Sequence, residues 1–193
     1  MGRLIYSAVA SLDGYVEDQG GNLDWSAPDQ ELLSFTNDLE RPIGAYLYGR
    51  RMYQAMLYWE TVQLSSDQPA EAHDFQAIWH RAEKIVHSRT LESVSRVRTR
   101  VEPDFDMAAV RDLKVRSEHD LTGGGSALAA GAIRAGLVDE LRLFMLPVVI
   151  GGGKGWLPGG VRVDLELLDT RRFAGGAMYL RYRLASSGEP QLR

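Results

Sequence analysis

The chain has 193 residues, 45% of them hydrophobic, no cysteine, and a formal net charge of −4 at pH 7. Without cysteine it forms neither a disulfide framework nor a thiolate metal site, and no two of its histidines are spaced three or four apart, so no metal is expected. Net negative charge argues against a general nucleic-acid binder, whose affinity comes from clustered Lys and Arg, and no apolar run approaches the roughly 20 residues that cross a bilayer.

In chain order, LIYSAVA (4–10) has the length and composition of a buried strand. The segment MGRLIYSAVASLDG carries no signal-peptide pattern, so a soluble, cytoplasmic protein is expected. PDQELLSFTNDLE (28–40) has helical spacing, with Pro28 at the first helical position and Asp29 and Glu31 as first-turn acids. IGAYLYG (43–49) reads as a second strand. DFQAIWHRAE (74–83) reads as a helix and KIVHS (84–88) as a strand. Arg96, Arg98 and Arg100 alternate with Val97, Thr99 and Val101, so a strand there would carry one basic face.

Further on, SALAAGAIRA (126–135) has helical spacing and LRLFMLPVVIG (141–151) is a long apolar strand. VRVDLELLD (161–169) and AMYLRYRLA (177–185) follow with too short a link for a crossover, so they pair antiparallel. Strands alternating with helices, then this closing pair, predict an α/β fold: a mostly parallel mixed sheet covered by helices on both faces. Residues 1–185 read as a single domain and SSGEPQLR (186–193) as a frayed tail.

Two glycine runs stand out. DLTGGGSALAAGAIRAG places a tight turn at Gly123–Gly125 before a helix that starts at Ser126. That turn is either an anion cradle at a helix N-terminus or a plain strand-to-helix connection. It is not the dinucleotide fingerprint, because Leu128 stands where the third glycine belongs. GGGKG (151–155) is not a P-loop, since Val148 replaces the first glycine and Gly155 the Ser or Thr; it reads as a rim loop with no assigned role.

Four segments in this order, VASLDGYV, YLYGRRMYQAM (46–56), KIVHSRTL (84–91) and LTGGGSALAAGAIRAGLVDELRLFMLPVVIGGG (121–153), resemble the dihydrofolate reductase superfamily. The nearer resemblance is to the branch typified by the C-terminal reductase domain of the bifunctional riboflavin biosynthesis deaminase-reductase. The resemblance covers about residues 3–184. It implies a three-layer α/β/α, dihydrofolate-reductase-like fold and an NADPH-dependent reductase of a small heterocyclic or carbonyl-bearing substrate. A stand-alone 5-amino-6-(5-phosphoribosylamino)uracil reductase and a non-catalytic nucleotide-binding module are the alternatives.

On matching positions, the resemblance implies that Gly123, Gly124, Gly125 and Ser126 receive the NADPH pyrophosphate. Gly49, Arg50 and Arg51 would hold phosphate from the other side, Ser88 and Arg89 would meet the 2′-phosphate, and Ala10 would pass the nicotinamide. No Asp or Glu immediately follows the strands that precede Arg50 and Arg89. The catalytic acid would be Glu31, Asp13 or Asp29, and Trp25, Phe35 and Met56 would line the substrate. LYWETVQLSSDQPA, after the second strand, has no Arg or Lys to clamp a folate glutamate tail, which argues against dihydrofolate. A homodimer burying part of LRLFMLPVVIG beside Trp156 is expected.

Overall fold

The computed structural model describes residues 1–91, 94 and 96–185; the 186–193 tail lies outside the described residues. Eight strands form one sheet in the order β5-β4-β3-β6-β1-β7-β10-β9, and β2 (Tyr15–Glu17) pairs separately with β8 (Lys154–Gly155). The parallel members are β1 (Leu4–Ser11), β3 (Ile43–Gly49), β4 (Glu83–His87), β5 (Thr99–Glu102), β6 (Asp120–Gly124) and β7 (Glu140–Leu146). The antiparallel pair is β9 (Leu165–Arg172) and β10 (Met178–Leu184), with β10 against β7.

The helices are α1 (Gln30–Glu40), α2 (Arg50–Met56), α3 (Tyr58–Thr61), α4 (Ala70–Arg81), α5 (Met107–Arg116) and α6 (Ser126–Arg134). Parallel strands must be covered on both faces, and they read as continuous apolar runs for that reason. Leu4, Tyr6, Leu47, Ile85 and Leu121 point to one face, under Val110 of α5 and Ala129, Ala132 and Ile133 of α6. Ile5, Tyr46, Tyr48 and Val86 point to the other, under Tyr53 of α2 and Trp79 of α4, while Leu32 of α1 meets Phe144, Leu146 and Tyr179. The result is three layers. No described helix is long and apolar enough to cross a membrane.

Several elements depart from the sequence reading. The strand expected to run to Gly151 stops at Leu146, because Pro147 has no N–H for the ladder and the Val148 N–H turns back to the Leu146 carbonyl at 2.8 Å. The strand expected over 161–169 is Leu165–Arg172; Val161 and Val163 instead pack over the α5–α6 side of the core. Asp29, not Pro28, opens α1: its side chain caps the helix by accepting the Leu32 N–H at 2.8 Å. The basic strand face does not form. Arg98 sits at φ 54 before β5 begins at Thr99, and Arg100 is paired by Glu83 and Glu102. Helix α5 escapes the apolar pattern because it buries only Val110 and Lys114.

At the amino-terminal edge of the strands, charges replace apolar contact. Glu140 of β7 receives Arg181 of β10 through two bonds, at 2.8 and 2.9 Å, and also pairs with Arg3, which in turn binds Asp120 of β6. Burial pushes the Glu140 carboxyl up, but the Arg181 bonds and the charges of Arg181, Arg3 and Arg142 outweigh it and hold the group below its ordinary value. Glu40, ending α1, lacks such pairing: it is 7% exposed and its Oε2 has no partner. Burial pushes its carboxyl up to about 7, against an opposing pull from Arg142.

That group sets a pH dependence. The folded chain holds the Glu40 proton more tightly than the unfolded chain, whose value is 4.5, so the contribution of this group to stability is fully present below about pH 4.5 and is lost as pH rises through about 7. At about 1.4 kcal/mol per pH unit the decline is on the order of 3 kcal/mol. Urea unfolding at pH 5 and pH 8 checks this: the wild type should lose stability between them, and Glu40→Gln should lose much less.

Candidate functional site

Because β1, β3, β4, β6 and β7 are parallel, Ser11, Gly49, His87, Gly124 and Leu146 end on one side of the sheet. The registers Gly49↔His87, Tyr48↔Gly124 and Tyr6↔Gly123 set three of these ends directly beside one another. Open α/β sheets bind ligands at such an edge. Ala10, Gly49, Arg50, Arg51, Ser88, Arg89, Gly123, Gly124, Gly125 and Ser126 all lie on it.

The three glycines after β6 are bare for different reasons. A Cβ on Gly124 would stand 2.3 Å from Tyr48 Cε1, so this glycine serves packing. Gly125 takes φ 95 to turn into α6. Gly123 has neither reason: its φ is ordinary and a Cβ would meet nothing closer than the Ile5 carbonyl at 3.8 Å. Gly49 is alike, at φ −77 with Leu128 at 3.8 Å. A Cβ at Gly49 or Gly123 would meet no atom closer than 3.8 Å, and at Gly123 the room belongs to an apolar gap under α6 lined also by Leu4, Tyr6, Leu47, Leu128 and Ala129. No side chain caps α6, and its first N–H groups and positive dipole end stay available for an anion.

Beside these glycines, Arg50 Nη1 donates to Thr90 Oγ1 at 2.8 Å, fixing the start of α2 against the turn after β4. Ser88 Oγ accepts the N–H groups of Thr90 and Leu91 at 3.2 and 3.1 Å, shaping that turn. Arg89 donates through Nε at 2.7 Å to Asp104 Oδ1, with Nη2 at 2.6 Å. A carboxylate thus does stand beside Arg89, delivered by the segment after the neighbouring β5, where the sequence around β4 shows none. The edge fits a phosphorylated nucleotide: two glycines that neither backbone conformation nor crowding requires, an uncapped helix start, and Arg50, Ser88, Arg89 and Thr90 grouped alongside.

The three candidate acids are all engaged. Asp13 accepts the Ile150 and Gly151 N–H groups at 3.2 and 2.8 Å. The Ser11 hydroxyl first, then these backbone bonds, hold its carboxyl below the usual range. Asp29 is spent on capping α1. Glu31 accepts the Ala174 N–H at 2.9 Å and pairs with Arg171 at 3.2 Å, tying α1 to the β9–β10 hairpin. The Arg171 guanidinium lies 4.8 Å over Phe35 and 5.0 Å over Phe173. Trp25 and Phe35 pack in this same cluster, with Trp25 Nε1 buried and unpartnered, whereas Met56 ends α2 in a different cluster. Trp25 and Phe35 are thus brought together, and Met56 packs in the neighbouring cluster on the same face of the sheet.

The second glycine run has a backbone reason. A Cβ on Gly153 would stand 1.9 Å from the Glu17 carbonyl, so only glycine lets β8 pair with β2. Trp156 donates its N–H to the Gly14 carbonyl at 3.1 Å, and Tyr6 donates its hydroxyl to the Trp156 carbonyl at 2.6 Å. With the Asp13 bonds, these contacts join the loops after β1 and β7 into one flap beside the edge. Lys154 rides on that flap; its only sequence signal was the GGGKG that fails as a P-loop.

Residues 3–179 match the RibD C-terminal domain family. A Bacillus subtilis (strain 168) protein called YyaP, itself uncharacterized, is 30% identical over 182 residues, covering 93% of this chain and 94% of the relative. The crystal structure of a pyrimidine reductase-like protein from Corynebacterium diphtheriae superposes with a TM-score of 0.69 at 15% identity, covering 96% of this chain and 93% of that one. Dihydrofolate reductase from Enterococcus faecalis, complexed with NADP(H), superposes with a TM-score of 0.59 at 16% identity, covering 96% and 98%. The three-layer architecture, with its antiparallel closing pair, is the dihydrofolate-reductase-like fold.

If Asp13 fastens the flap, Asp13→Ala frees the Ile150 and Gly151 amides while leaving the distant sheet intact. Hydrogen exchange should show these two amides losing protection by about tenfold or more, with little change in β3 and β6.

Proposed function

Because the chain belongs to the RibD C-terminal domain family, we propose that it is an NADPH-dependent reductase of a small heterocyclic or carbonyl-bearing compound. The observation that supports this most is the pair Gly49 and Gly123, strand-end glycines where neither backbone conformation nor crowding requires glycine, close to the uncapped start of α6. The pyrophosphate would lie on Gly123, Gly125, Ser126 and Arg50, and the 2′-phosphate beside Ser88, Arg89 and Thr90. Arg suits that role because its planar fork stays charged and donates two bonds at once. The chemistry such a cofactor supplies is hydride donation.

The chain's own part is to place the substrate, exclude water and settle the proton. Asp13, ionised and bonded to two backbone N–H groups, holds the flap and has no proton to give. Glu31 is the remaining one of the three candidate acids, and it reaches a substrate only by leaving Arg171 and the Ala174 N–H. Resemblance to a pyrimidine reductase-like protein favours, as a second reading, a stand-alone 5-amino-6-(5-phosphoribosylamino)uracil reductase. A nucleotide-binding module without turnover is the reading favoured by the engagement of all three acids; consumption of NADPH with a pyrimidine, pteridine or dicarbonyl substrate rejects it.

Assembly as a homodimer belongs to the same proposal. The apolar side chains a second copy would cover are Val149 and Leu157 on the flap and Leu165 and Leu167 on β9, 65%, 39%, 38% and 53% exposed. The middle of β7 is not among them, since it is already buried. Light scattering should give about twice the 21.5 kDa chain mass at micromolar concentration; the single-chain mass overturns the dimer.

NADPH should be preferred to NADH. Arg89→Ala should weaken NADPH by about tenfold, a charge-assisted contact on an exposed side chain, and leave NADH nearly unchanged. Asp104→Asn, which releases Arg89, should strengthen NADPH. Calorimetric titration decides: equal wild-type affinities for the two cofactors remove the basis for the assignment.

A further inference from the structure

We infer that Arg51 and Lys154 form a bracket for one phosphate group, and that Glu17 fills the bracket when no phosphate is bound. Three elements meet there. Arg51 comes from the first turn of α2, Glu17 from the end of β2 and Lys154 from β8, where it stands across the ladder from Glu17. Arg51 Nη1 and Lys154 Nζ lie 3.9 and 3.8 Å from the same atom, Glu17 Oε1.

Both separations exceed hydrogen-bonding distance, so the N–H groups of the two cations stay available while their charges are only partly balanced. Such exposed pairs are weak, and Arg51 is 84% exposed, so Glu17 is easily displaced. Two cations facing one carboxylate leave a net positive charge that a phosphate, carrying more charge and more acceptor oxygens than a carboxylate, neutralises better. The position of Glu17 is not accidental: the close approach of Gly153 to its carbonyl pins the β2 backbone that carries it. The bracket lies two residues from Gly49, at the open end of the nucleotide edge. The second glycine run thereby gains a role: it brings Lys154 to the phosphates.

This inference rests on the reading that a nucleotide occupies the edge. The phosphate chemistry could come from the cofactor or from a phosphorylated substrate, and the test separates them. NADPH, ADP and ribose 5-phosphate are titrated calorimetrically into the wild type, Glu17→Gln and Lys154→Gln. Glu17→Gln should tighten NADPH and ADP by about threefold, a gain that misfolding cannot mimic, and Lys154→Gln should weaken both by about threefold or more. Tightening confined to ribose 5-phosphate keeps the bracket and assigns it to the substrate. A wild type that binds no NADPH while ribose 5-phosphate responds to both substitutions sinks the cofactor reading and keeps the bracket. Affinities unchanged in both variants for all three compounds overturn the bracket, and if the wild type still binds NADPH the cofactor reading survives.

Discussion

Since β4, β3, β6, β1 and β7 lie parallel in one sheet, the loops that leave their carboxyl ends share one edge, and every candidate binding group depends on that alignment. The backbone ladder sets it: Gly49 beside His87, Tyr48 beside Gly124, Tyr6 beside Gly123. The opposite edge is fixed by charge, with Glu140 at the start of β7 gathering Arg3 from just before β1 and Arg181 from the middle of the antiparallel β10. One end of the sheet is thus held by ion pairs centred on the buried Glu140, while the other carries the glycines, the uncapped helix start and the loops.

Those loops divide the labour. The flap formed after β1 and β7 is held together by Asp13, by the β2–β8 pair and by the Tyr6–Trp156 contact. Cations reach the edge from both sides of the space, Arg50 and Arg51 from α2 and Lys154 from the flap. Each has a local partner in the ligand-free chain, Thr90 for Arg50 and Glu17 for the other two. On the proposed reading, phosphate binding would be an exchange of partners rather than the capture of an ion by bare charge.

The fold was largely legible because its signals are local: apolar strand runs, helical spacing, and glycine at the end of β6. Pro147 also carried a local signal, and it shortens β7 as a residue without a ladder N–H must. What could not be read depends on partners distant in sequence. Asp104 reaches Arg89 only because β5 lies beside β4, and Ala174 reaches Glu31 only through the closing hairpin. Gly123 and Gly124 are identical letters with different causes, and only the position of the Tyr48 ring tells them apart. Trp25 and Phe35 share one cluster and Met56 packs in its neighbour on the same face of the sheet, an arrangement set by contacts distant in sequence.

The contrast between those two glycines gives the most direct test. In Gly123→Ala the added methyl meets no protein atom closer than 3.8 Å, while in Gly124→Ala it collides with Tyr48 at 2.3 Å. Thermal unfolding and NADPH titration of both variants separate packing from binding. The account predicts that Gly123→Ala unfolds with the wild type yet binds NADPH at least about tenfold more weakly, and that Gly124→Ala is destabilised. A Gly123→Ala variant that binds NADPH as tightly as the wild type would contradict it.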